Sequence, residues 1–183
     1  MKYPSLFMMA FAVSSIAAVA QTSPSASGTT VYIQPSAAII VPGDDFETGG
    51  GGLIAFGVQF AENHHLEVET GFLISDIKDS QLSMGFIPAV LNYKYAVPLS
   101  ERFSLHAGAS AGAMFQKLGY RTLGNSYGET KSSATFGLNA GVFLRLSERL
   151  SLDAGGRVLR IDKTSYTTEG NVVIFHAGLN IRL

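Results

Sequence analysis

The chain has no cysteine and no tryptophan, and only 15% of its 183 residues are charged. Without cysteine there is no disulfide, no thiolate metal site and no lipid-modified cysteine anchor. The formal net charge of −1 lacks the basic excess that a nucleic-acid partner requires, and none is expected. No long helical pattern runs through the chain either. The alanine-rich run Phe103–Gln116 comes nearest, but Gly108 and Gly112 would each cost a helix about 1 kcal/mol, and strict alternation continues through them. Glycine, by contrast, is abundant.

The first residues are a separate object. Lys2 gives a short basic start, Leu6–Ala17 is apolar or small, and Ala18-Val19-Ala20 has the A-x-A form of a cleavage site. Residues 1–20 therefore read as a signal peptide for Sec-type export, cleaved near Ala20, and residues 21–29 as a Ser/Pro-rich flexible leader. The folded domain is expected over residues 30–183, a length that suits one domain.

Within that domain one stretch occurs twice: Leu99–Ala109 (LSERFSLHAGA) and Leu146–Gly156 (LSERLSLDAGG), with a looser copy at Phe60–Gly71 (FAENHHLEVETG). Each is a polar turn launching a run that alternates apolar with small or polar residues, the mark of a strand leaving a hairpin. The alternation predicts eight strands, near Thr30–Val41, Leu53–Ala61, Leu66–Ile77, Leu82–Val97, Phe103–Gln116, Ser132–Leu146, Leu150–Ile161 and Asn171–Leu183. Pro35 should interrupt a ladder in the first. Pro42–Gly52, with its glycine run Gly49–Gly52, reads as a loop, and Glu62–His65 as an exposed turn. The polar segments Lys117–Lys131 and Asp162–Gly170 read as long loops.

Strands of about ten residues are long enough to cross a bilayer at the usual tilt. One face carries a continuous apolar band, including Ile54, Phe56, Val68, Phe72, Leu91, Phe136 and Leu138. The other collects Glu67, Glu69, Lys94, His106, Asn139, Arg145, Asp153, Arg157, His176 and Arg182. An eight-stranded barrel has room inside for side chains, often only small ones. The charged face, with its glycines and serines, is therefore expected to line a closed, ion-paired lumen, because an unpaired buried charge is costly. The apolar band then faces acyl chains and implies outer-membrane lipid and lipopolysaccharide as partners. Tyr93 and Tyr95 fall where an interfacial aromatic girdle belongs, and short turns alternate with longer loops as in outer-membrane barrels, apart from the short loop near Lys78–Ser80. The fold class expected is all-β, an eight-stranded antiparallel up-and-down transmembrane barrel.

The run Asn92–Gly112 (NYKYAVPLSERFSLHAGASAG) resembles the strand-turn-strand of the OmpA-like and OmpX-like outer-membrane barrels. The tail His176–Leu183 (HAGLNIRL) resembles the C-terminal assembly signal of that family, with Leu183 where an aromatic is usual. The resemblance implies insertion by the barrel assembly machinery through Gly178, Ile181 and Leu183, a location in the outer membrane, and no particular activity.

Other motifs have plain explanations. The aligned turns put Glu67, His106 and Asp153 at one depth, a set that could serve acid–base chemistry but has no nucleophile with it and reads as a structural layer. Asp44, Asp45 and Glu47 lack calcium-loop spacing, His64-His65 is too small a cluster for a metal site, and Gly49–Gly52 lacks the lysine and helix of a phosphate loop. No catalytic residue, metal or cofactor is expected. Tyr120, Tyr127 and Tyr166 on outer loops are candidate contacts for an extracellular ligand. A structural or surface-interaction role is thus expected, with a narrow or gated porin-like channel as the first alternative. A lipid-modifying barrel enzyme and a secreted lipocalin-like carrier are the others. The His-x-Ser pair of the lipid A deacylases is missing, since His176 is followed by Ala177 and Gly178.

Overall fold

The computed structural model describes residues 28–120, 130–162 and 170–183. The signal peptide, the leader up to residue 27, Tyr127 and Tyr166 lie outside the described residues. Eight strands follow one another: β1 (Thr30–Val41), β2 (Gly49–Phe60), β3 (His64–Asp76), β4 (Leu82–Pro98), β5 (Phe103–Tyr120), β6 (Lys131–Arg145), β7 (Leu150–Ile161) and β8 (Gly170–Arg182). Each pairs antiparallel with its sequence neighbours, and β1 pairs with β8 to close the barrel. Closure leaves no free edge to template aggregation.

Two segments expected as loop or turn are partly strand. The glycine run Gly49–Gly52 is not a loop but the start of β2, in register with Ile40–Ala37 of β1. Its glycines answer a close approach of backbones: a Cβ on Gly49 or Gly51 would overlap the carbonyl oxygens of Ile74 or Phe72 on β3. Glycine lets the sheet curl tightly there. His64 and His65, likewise, belong to β3 rather than to a turn. The polar segment after β5 also begins later than expected, because β5 runs on to Tyr120.

Proline leaves its imprint on two ladders. Pairing of β1 with β8 breaks between Ile33↔Ile181 and Ser36↔Gly178, at Pro35, and resumes without a shift in register. Pairing of β3 with β4 breaks between Thr70↔Ala89 and Leu73↔Phe86, opposite Pro88. In both places the missing N–H deletes a bond without inserting a bulge.

Alternation puts opposite chemistries on the two faces. Ile39, Phe56, Phe72, Leu91, Phe136, Leu138 and Phe175 project outward and are exposed. The interior has two storeys. In the half nearest the longer loops, Ile40, Leu53, Leu73, Met84, Phe86, Met114, Leu159 and Ile174 form an apolar cluster, with Phe46 and Leu118 packed against it. The half nearest the short turns is polar and charged. Alternation predicts an inner face of small and charged residues throughout, and only the turn-side half has it. Leu73, Phe86 and Leu159 have the same parity as Glu69, Asn92 and Arg157, so the apolar plug is built on the face that looked polar.

Candidate functional site

The turn-side half of the lumen is organised on Asp153 of β7, which is fully buried. Its Oδ2 accepts hydrogen bonds from Lys94 Nζ of β4 at 2.8 Å and Gln34 Nε2 of β1 at 2.9 Å. His106 Nε2 of β5 lies 2.9 Å from its Oδ1, and His176 Nε2 of β8 lies 3.5 Å from Oδ2. Lys94 Nζ also meets Glu67 Oε1 of β3 at 2.9 Å. Glu67 Oε1 in turn accepts a hydrogen bond from the Tyr32 hydroxyl at 2.8 Å. One ammonium thus links two carboxylates from opposite sides of the barrel, an arrangement that shares the cost of burying all three charges.

A second pair lies beside it. Arg157 Nη2 of β7 approaches Glu69 Oε1 of β3 at 2.5 Å, an ion pair off hydrogen-bond alignment. Arg157 Nη1 is 3.4 Å from Asn92 Oδ1, which also accepts from Ser110 Oγ at 2.6 Å; Ser110 Oγ accepts from Asn139 Nδ2 at 3.0 Å. The amide and hydroxyl chain carries the polar layer round the wall from β4 to β6.

Of the residues named from sequence, eight therefore meet in this layer: Glu67, Glu69, Lys94, His106, Asn139, Asp153, Arg157 and His176. Arg145 and Arg182 do not join it. They stand at the turn-end mouth, where Arg182 bonds Gln59 Oε1 at 3.3 Å and the Glu148 carbonyl at 3.4 Å. The strands end there, so a guanidinium reaches water instead of the buried acids.

Sequence reading missed Tyr32, Gln34, His65, Asn92 and Phe143. His65 is buried, with Nδ1 3.3 Å from the Tyr32 hydroxyl. Phe143 stacks near His106 and His65 at ring-centroid distances of 4.5 and 5.0 Å, with Lys94 Nζ 5.6 Å from its centroid. The parity signal was available for each: His65 shares a face with Glu67, and Phe143 with Asn139. Gly57 makes room for this corner, because a Cβ there would overlap the Tyr32 ring. Gly57→Ala is expected to lower stability by about 1–3 kcal/mol through overpacking, read as an earlier denaturant midpoint in micelles.

On the outer wall, Tyr93 and Tyr95 are exposed near the turn end as expected. His64 sits between them and Phe60, with Nδ1 2.7 Å from the Tyr93 hydroxyl. Apolar rings with polar tips at one level suit the boundary between acyl chains and headgroups.

Comparison with known proteins agrees with this architecture. A family model described as outer membrane protein beta-barrel domain matches residues 4–182. Neisserial surface protein A has a similar structure, with a TM-score of 0.64 at 15% identity over 87% of this chain and 100% of that one. Outer membrane protein H of P. aeruginosa gives 0.56 at 17% identity, over 84% and 99%. Ail, the attachment invasion locus protein of Yersinia pestis, solved in complex with the heparin analogue sucrose octasulfate, gives 0.55 at 15%, over 87% and 100%. No curated protein matches the sequence.

Proposed function

The chain belongs to the outer membrane protein beta-barrel domain family, and from that premise we propose that it is a closed structural barrel of the outer membrane whose loops are its contact surface. One observation supports the reading: an apolar cluster around Leu73 and Phe86 occupies the loop-side half of the barrel interior, and a charged layer around Asp153 lies in the other half. Ions would have to displace apolar side chains in one half and break buried ion pairs in the other. The ten residues named from sequence act in this reading as structural elements of the lumen, eight in the layer and Arg145 and Arg182 at its mouth. No catalytic role is assigned to any of them.

Export by a signal peptide over residues 1–20, and insertion by the barrel assembly machinery through Gly178, Ile181 and Leu183, complete the proposal. The short-turn end would then face the periplasm and the outward apolar band would contact lipid and lipopolysaccharide. An extracellular ligand would meet the other end, where Asp44, Asp45, Glu47 and Asp79 outnumber Lys78 among the described loop residues. The acidic residues of these two loops disfavour a polyanion, so a ligand like the heparin analogue held by Ail fits them poorly.

Purified protein in planar bilayers should give no large stable currents, and it should fractionate with outer membranes and migrate differently on gels before and after heating. Sustained conductance would transfer the reading to its rival, a narrow gated channel opened by rearrangement of the Glu69–Arg157 and Glu67–Lys94 pairs.

A further inference from the structure

The turn-end mouth of the barrel is a cavity of about 260 Å³. Its floor is His65 and Phe143, and its rim includes Arg102, Arg145 and Arg182. The register aligns its donors. Arg145 pairs with Ser151 across β6 and β7, and Ser151 pairs with Asn180 across β7 and β8. Arg145 N donates to the Arg102 carbonyl at 2.7 Å, which sets these two arginines opposite each other. Arg182 follows Asn180 by two residues on the same face of β8. A guanidinium, a hydroxyl and an amide thus stand in one cross-strand row, flanked by two further guanidinium groups.

The charge in this row is not balanced from within. Among the described residues, the side chains of Arg102 and Arg145 make no ion pair, and Arg182 bonds only neutral oxygens. Glu62 and Glu101 also line the cavity, but neither lies within ion-pair distance of an arginine there. Like charges placed opposite one another across a strand pair are unfavourable, and an anion between them would offset that cost. Guanidinium groups bind carboxylate and phosphate oxygens with paired, charge-assisted hydrogen bonds.

We propose that this vestibule is a binding site for a small soluble oxyanion, a carboxylate or a phosphate group, held by Arg145 and Arg182 with help from Arg102, Ser151 and Asn180. The strand residues of the lining face the inside of the closed wall, and the turn residues stand at its rim. A solute entering along the barrel axis reaches them directly, and the competition experiment below separates it from a lipid headgroup. The inference does not depend on whether the lumen conducts.

The test uses full-length mature protein refolded in a neutral detergent at low ionic strength, titrated with inorganic phosphate and followed by calorimetry and ³¹P NMR. Saturable binding is expected, displaced by succinate. Arg145→Gln and Arg182→Gln should each weaken it by about tenfold or more, while Arg160→Gln, on the outer wall toward the longer loops, should leave it unchanged. Each variant is first checked for the heat-dependent gel shift of the folded barrel; if either fails it, Arg102→Gln on the adjoining turn takes its place. No saturable binding to wild type, or equal binding by wild type and the mouth variants, overturns the proposal. Competition from phosphatidylglycerol in nanodiscs, but not from succinate, would overturn the assignment to a soluble ligand.

Discussion

Asp153→Ala should destabilise the barrel by about 3–5 kcal/mol, the usual cost of breaking a buried charge cluster by removing one partner. Three donors end on this carboxylate: Lys94 Nζ, Gln34 Nε2 and, within 2.9 Å, His106 Nε2. Alanine leaves Lys94 with Glu67 alone, takes the buried Gln34 amide's acceptor away and opens a void. Asp153→Asn keeps the shape and one acceptor, and its loss should be smaller. Equilibrium unfolding in urea, with the protein in micelles or vesicles, measures both. A loss below about 1 kcal/mol for the alanine variant, the worth of one ordinary hydrogen bond, would mean that Asp153 is not what holds the layer together.

The second large effect is on the opposite face. Leu138 is 71% exposed on the outer wall, flanked across the ladders by Ala109 and Val158. On a surface bathed by water, Leu138→Arg would change stability by no more than about 0.5 kcal/mol. In the middle of a bilayer the same change costs about 2–4 kcal/mol. Leu99, exposed on the turn between β4 and β5, is the depth control: Leu99→Arg should cost about 0–1 kcal/mol near the interface. Folding into lipid vesicles, compared between the two variants, reads the difference. Equal and negligible costs would remove the bilayer from the outer wall.

Much of this molecule can be read from alternation alone. The repeated Ser-Glu-Arg turns fix two hairpins, and counting from them brings His106 and Asp153 to the same depth, where they are 2.9 Å apart. The outward band from Phe56 to Leu138 is legible for the same reason: a strand shows every second residue to one side. Less legible was the inner face. Leu73 and Glu69 share it, and so do Phe86 and Lys94, because parity separates inside from outside and carries no information about depth. The glycines at the start of β2 misled in a different way. Locally they look like a loop, and only the close approach of β3 explains why a strand needs them.

By itself, then, the order of residues determined eight strands, two of the turns between them and the side of the wall on which each strand residue stands. Those are local properties, set by a period of two and by turn chemistry. Which residues meet was decided by closing the sheet. The pairing of β1 with β8 and the stagger accumulated around the ring bring Gln34 to Asp153, 119 positions away. They sort the lumen into an apolar half and a charged half and leave Arg145 and Arg182 at the mouth. Stagger is a property of the whole ring of strands, and no single strand contains it.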